Sequence, residues 1–230
     1  MIEKFSKYQI ATATAILFHA IGVVGILFSN NSFFANATPI NLLLSLVLLI
    51  WTQKERNVFF WTFLIITITI GFTVEAIGVN TGKLFGNYTY GTVLGPKVLN
   101  VPLIIGINWF IIIYCCGVCL DMFLKNLLNK YRPNSTQGTG KLRVLSTIID
   151  GATLAILLDI LIEPVAIKLG MWKWGGDGTV PFFNYLSWFL ISCLLLTIFQ
   201  FCKFDKQNKF AVHLLLIQAM FFLILRTFMK

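Results

Sequence analysis

Apolar runs separated by short polar turns organise the whole chain. Seven such segments can be drawn, at 10–28, 39–52, 57–79, 101–120, 146–169, 184–202 and 210–228. Six of them approach or exceed the ~20 residues that a helix needs to cross a bilayer. The segment 39–52 is short unless it begins near Phe33 and bends at Pro39, where the ring removes a backbone donor. The pattern predicts an all-α polytopic membrane bundle of about seven transmembrane helices, forming one domain over 1–230. Lys4 and Lys7 precede the first segment, and Ala35-Asn36-Ala37 resembles a signal-peptide cleavage site. The apolar core of that segment is too long for a signal peptide, so it reads as a retained helix.

Composition agrees with this reading. Hydrophobic residues make up 57% of the chain and charged residues 12%, with a mean hydropathy of +0.83, whereas soluble domains carry about 25% charged residues. The net charge of +9 lies in turns between apolar runs, not on one basic face. That distribution argues against nucleic acid as a partner and points to membrane orientation. One set of alternate turns carries 12 lysines and arginines and the other carries 6. The positive-inside rule then predicts a cytoplasmic N-terminus and an external C-terminus.

Two stretches repeat each other weakly. Gly86, Tyr88, Tyr90 and Gly91 match Gly170, Trp172, Trp174 and Gly175, and Val101, Pro102 and Trp109 match Val180, Pro181 and Trp188. An acidic residue precedes each glycine-aromatic motif: Glu75 in the first copy, Glu163 in the second. Helices three and four (57–120) and helices five and six (146–202) thus read as two copies, each a helix, an external loop and a returning helix. The polar stretch 121–145 between them reads as a cytoplasmic linker.

Three carboxylates lie well inside apolar segments: Glu75, Asp159 and Glu163. An acid near a helix centre costs ~2.5–3.5 kcal/mol on insertion scales, so such residues face a protein interior or a wet cavity and mark function. The alternative is that they only join helices by hydrogen bonds. Asp159 and Glu163, spaced i and i+4, share a helix face, and carboxyl groups held close together in a low-dielectric site cannot both ionise cheaply. Glu75 and Glu163 sit roughly 6 and 9 Å below the outer helix ends, near the level of the aromatic loops. Pro164 follows Glu163 and frees the carbonyl four residues back, which then needs a polar partner.

Tyr88, Tyr90, Trp172 and Trp174 suit an interfacial aromatic belt. Their interleaving with glycines in both copies favours shaped loops whose ring faces line a site and stabilise a nearby cation. Asn108 and Asn184 bring amides to the same ends, where they could hold water or orient a carboxyl. His19 and His213 stand alone in the first and last helices and read as packing residues. Cys116 and Cys119 form a C-x-x-C with no second pair or nearby histidine, so all five cysteines read as packing and no metal site is expected.

A neutral buried acid, a second carboxylate and electron-rich rings suit protonation of an alkene followed by capture of the cation by water. The motifs NTGKLFGNYTYGTVLG, VPLIIGINW, DILIEPVAIKLGMWKW and VPFFNYLSWFLIS resemble the integral-membrane carotenoid hydratases, of the bisanhydrobacterioruberin hydratase and γ-carotene 1′-hydroxylase type. The resemblance covers roughly 57–202. It implies cofactor-independent addition of water to the terminal C=C, at the 1,2 or 1′,2′ position, of an acyclic ψ-end in a lycopene-like or γ-carotene-like substrate, giving a tertiary alcohol. It places Asp159 and Glu163 as the acid/base pair and Glu75 as a partner that tunes them or holds water. Tyr88, Tyr90, Asn108, Trp109, Trp172, Trp174, Asn184 and Trp188 become substrate contacts. A membrane carotenoid cyclase, and a lipid or small-molecule carrier without chemistry, are the alternatives.

Overall fold

The computed structural model describes residues 5–29, 31–131 and 139–229. Its helices follow the apolar runs closely: α1 (Lys7–Phe28), α2 (Asn31–Asn36), α3 (Thr38–Thr52), α4 (Val58–Thr81), α5 (Ile104–Tyr131), α6 (Thr139–Lys168), α7 (Phe182–Phe201) and α8 (Lys209–Phe228). Six are long and apolar enough to cross a membrane: α1, α4, α5, α6, α7 and α8. The protein is therefore an integral membrane helix bundle.

The second apolar segment is the short one, as its length in the sequence indicates. The chain turns at Ala37, between the short α2 and the 15-residue α3, and Pro39 sits in the first turn of α3. At 1.5 Å per residue α3 spans only ~22 Å, short of the ~30 Å hydrocarbon core. The polar stretch 121–145 is partly helical, because α5 continues to Tyr131 and α6 begins at Thr139. The middle of the predicted linker, 132–138, lies outside the described residues.

Local chemistry sets the helix ends. Ser6 caps α1 in a reciprocal capping box with Gln9, and Asn57 caps α4 by accepting from the Phe60 amide. Helix α4 stops at Gly82, whose φ of 68° lies in the left-handed region open to glycine. At one end of the bundle Gln53 Nε2 donates to the Asp205 carbonyl at 2.7 Å, and Asn208 Nδ2 donates to the Tyr114 hydroxyl at 3.1 Å. These bonds tie the α3–α4 and α7–α8 turns to the most deeply buried helix, α5.

The opposite end carries two small antiparallel sheets. Strand β1 (Tyr88–Tyr90) pairs with β4 (Trp172–Trp174), while β2 (Lys97–Val98) pairs with β3 (Val101–Pro102). In the first sheet Tyr88 faces Trp174, Thr89 faces Lys173 and Tyr90 faces Trp172. The flanking bonds mirror each other: Gly91 N donates to Met171 O and Gly175 N to Asn87 O, both at 2.8 Å. The two glycine-aromatic motifs are thus hydrogen-bonded across a local two-fold arrangement. Gly91 permits it, since an added Cβ would run into the Gly170 carbonyl.

Helix α6 contains Pro164, which leaves the Ile160 carbonyl without its helical donor. Arg226 of α8 supplies the replacement, with Nη1 donating to Ile160 O at 3.1 Å.

Candidate active site

The α4 and α6 carboxylates lie beneath the paired aromatic strands, and the strands reach down to hold them. Tyr88 and Tyr90 donate their hydroxyls to Glu75 Oε2 at 2.6 and 2.7 Å, and Trp109 Nε1 donates to Glu75 Oε1 at 3.0 Å. Trp172 and Trp174 donate their indole N–H groups to Glu163 Oε2, both at 3.0 Å. Each aromatic pair therefore holds the glutamate of the helix that precedes it in the chain. Alternation along a strand would send neighbouring side chains to opposite faces, but residues i and i+2 share one, which is why the x in each aromatic-x-aromatic motif is exposed (Thr89 and Lys173).

Asp159 is held differently. One amide, Nδ2 of Asn184, donates to its Oδ2 at 3.2 Å, and no donor to its Oδ1 is present among the described residues. Glu75, Asp159 and Glu163 are all buried. Burial and then the charge of Glu75 push the Tyr88 and Tyr90 phenols well above their usual range, so both stay protonated and serve as donors.

Every catalytic and substrate-contact candidate named from the sequence lines one cavity of about 40 Å³. The structure thus brings Glu75, Asp159 and Glu163 together with both aromatic pairs, Asn108, Asn184 and the two tryptophans of the returning helices. Trp109 and Trp188 stack with ring centroids 3.8 Å apart and planes 10° apart, closing the floor between α5 and α7. Gly71 makes room for this stack: a Cβ there would lie 2.5 Å from Cβ and Cγ of Trp109. A single water needs about 10–15 Å³ of such space, so the cavity has room for about three waters.

The sequence reading missed the apolar lining. Phe85, Ile105, Ile112 and Ile162 complete the wall. A helical signal was available for the last three, since Ile105, Asn108 and Ile112 fall on one face of α5 and Ile162 lies three residues after Asp159 on α6. Ile105, Asn108, Ile112, Ile162 and Trp172 also line a second chamber of about 70 Å³. It extends between α1, α3 and α8, and most of its lining is hydrocarbon. The histidines are hydrogen-bonded, His19 to the Ala15 carbonyl and His213 to Thr12 Oγ1, each at 2.8 Å.

A family model described as carotenoid biosynthesis protein matches residues 36–230. The chain is also similar to the bisanhydrobacterioruberin hydratase of Haloarcula japonica, with 31% identity over 138 residues. That match covers 59% of this chain and 42% of the relative, so the chain spans under half of its relative's length. No solved structure matches.

Proposed function

This chain belongs to the carotenoid biosynthesis protein family, and on that premise we propose that its carboxylate cavity adds water across the terminal C=C of an acyclic carotenoid end. The observation that carries the reading is the unequal hydrogen bonding of three buried acids in one aromatic chamber. Glu75 receives three donors distributed over both oxygens, a set suited to an acceptor-only carboxylate. Asp159 receives a single amide bond on Oδ2, which leaves Oδ1 to carry and deliver a proton. Glu163 has its two indole donors on Oε2, which leaves Oε1 to accept one.

In this mechanism Asp159 transfers its proton to the less substituted carbon of a 1,2 or 1′,2′ double bond. The π electrons form the new C–H bond and leave a tertiary cation. Water adds its lone pair to that cation, and its surplus proton passes to Glu163. Transfer from Glu163 to Asp159, one helical turn away, restores the starting state and leaves a tertiary alcohol. The anionic Glu75 and the ring faces of Tyr88, Tyr90, Trp172 and Trp174 stabilise the cation electrostatically. General acid catalysis contributes about 10²–10⁴-fold.

The substrate is a lycopene-like or γ-carotene-like carotenoid, its end group in the polar cavity and its polyene in the adjoining apolar chamber. The reaction uses no cofactor, and membrane lipids are the other partner. The domain reading completes the proposal: copies 57–120 and 146–202 joined by a cytoplasmic connection, the N-terminus inside, and the aromatic sheet at the external face, where water reaches the cavity.

The test is expression in a lycopene-accumulating bacterium, with pigment masses read for wild type, Asp159→Asn and Glu163→Gln. The reading expects one or two added waters for wild type and unaltered pigment for both variants, each still present in membranes. A spectral shift at unchanged mass would replace it with a cyclase. Unaltered pigment from well-expressed wild type, repeated with γ-carotene, would replace it with a carrier.

A further inference from the structure

The second chamber holds a polar cluster that the hydration chemistry does not use: His19 from α1, Asn41 from α3 and Gln218 from α8. The carbonyl of Ala15 can only accept, so His19 donates to it from Nδ1 at 2.8 Å, which leaves Nε2 as an acceptor. The Asn41 amide nitrogen lies 3.4 Å from that Nε2 and donates to it. This directs Oδ1 of Asn41 away from the ring, where it is buried with no hydrogen-bond partner among the described residues. Gln218 is 6% exposed, and its Oε1 is likewise buried with no partner among the described residues.

Two buried acceptors without donors are costly, about 1–3 kcal/mol each when nothing satisfies them. They line a chamber whose remaining wall includes Ile26, Leu42, Leu94 and Phe222. A ligand suited to this chamber is a hydrocarbon carrying a hydrogen-bond donor. Depth agrees with a position beside the reacting end. His19 lies nine residues before the end of α1 at Phe28, Gln218 ten before the end of α8 at Phe228, and Asp159 nine before the end of α6 at Lys168. At 1.5 Å per residue these three levels agree to within one helical turn.

We propose that Asn41 and Gln218, oriented by His19, form a subsite for a hydroxyl group on the isoprenoid ligand, across the shared wall of Ile105, Asn108 and Ile112 from the carboxylates. The hydroxyl donates its single proton to one of the two amide oxygens, and the hydrocarbon on either side of it packs on the apolar lining. The subsite rests on the reading of the neighbouring cavity as a carotenoid hydration site. It adds to that reading that the preferred ligand is an isoprenoid alcohol. A hydroxyl-forming reaction must then act before this protein, or the site retains the alcohol formed by its own first hydration.

The test uses the purified full-length protein in detergent, with lycopene and its symmetrical dihydroxy derivative as probes and binding read from the pigment absorbance. Wild type should bind the diol about tenfold more tightly than lycopene. Gln218→Leu and Asn41→Leu should each lose that preference and keep lycopene affinity within about twofold. Gln218→Leu should also melt no lower than wild type, because it removes an unsatisfied polar group. Equal wild-type affinity for both pigments would overturn the subsite. A parallel loss for both in the variants would also overturn it, by assigning the amides to water or to packing. Selective binding of the diol by a protein that adds no water to lycopene or to its monohydroxy derivative would instead overturn the hydration reading and leave the subsite standing.

Discussion

Arg226 donates from Nη1 to the carbonyl of Ile160 at 3.1 Å, filling the place that Pro164 vacates in the α6 hydrogen-bond ladder. The bond joins the last helix to the turn of α6 that carries both Asp159 and Glu163. Arg226→Met should therefore weaken the bundle by about 1 kcal/mol, lowering the melting temperature of the detergent-solubilised protein by a few degrees. It should reduce product formation more than an exposed control such as Lys173→Met. An unchanged melting temperature and rate would mean that water replaces the guanidinium without loss.

The aromatic clamps predict graded effects. Tyr88→Phe or Tyr90→Phe removes one of the donors to Glu75, and a hydrogen bond to a charged group is worth about 1.5–3 kcal/mol. Each variant should lose about tenfold to a hundredfold in rate, and the double variant more. Assays in isolated membranes at matched protein levels would check this. Rates within twofold of wild type would place the phenols outside the chemistry.

Close approach of backbones predicts two glycine effects. Gly91→Ala would drive a methyl group into the Gly170 carbonyl and push the β1–β4 pair apart. Gly71→Ala would displace Trp109 from Glu75 and from its stack on Trp188. Both should abolish most product formation, with Gly91→Ala also raising protease sensitivity of the 82–103 loop. Full activity in either would contradict the packing described.

Much of this was legible in the residues. The apolar runs located α1 and α4–α8 to within a few residues, except where α5 and α6 run on through polar sequence, because a helix already propagating needs no apolar side chains to continue. Glu75, Asp159 and Glu163 were visible because ionisable groups in apolar runs are costly, and the glycine-aromatic motifs because they recur. The pairing of Tyr88 with Trp174 was not visible, since no local signal encodes a partner 86 positions away. Nor was the Arg226–Ile160 bond: Pro164 announced a free carbonyl, but its donor sits on another helix. His19 reads as a packing residue, and nothing in the sequence singles out Asn41 or Gln218, because single polar residues acquire meaning only when three helices bring them to one chamber.

The account turns on proton transfer from the protein to a carotenoid carbon followed by capture of water, and one isotope measurement addresses both steps. Membranes containing the protein would be incubated with lycopene in deuterated water, and the products analysed by mass spectrometry after back-exchange in ordinary water. The account predicts a product heavier than lycopene by one or two waters, with one deuterium retained on carbon for each, absent from Asp159→Asn membranes. A hydroxylated product without deuterium on carbon, or a product of lycopene's own mass apart from deuterium, would contradict it.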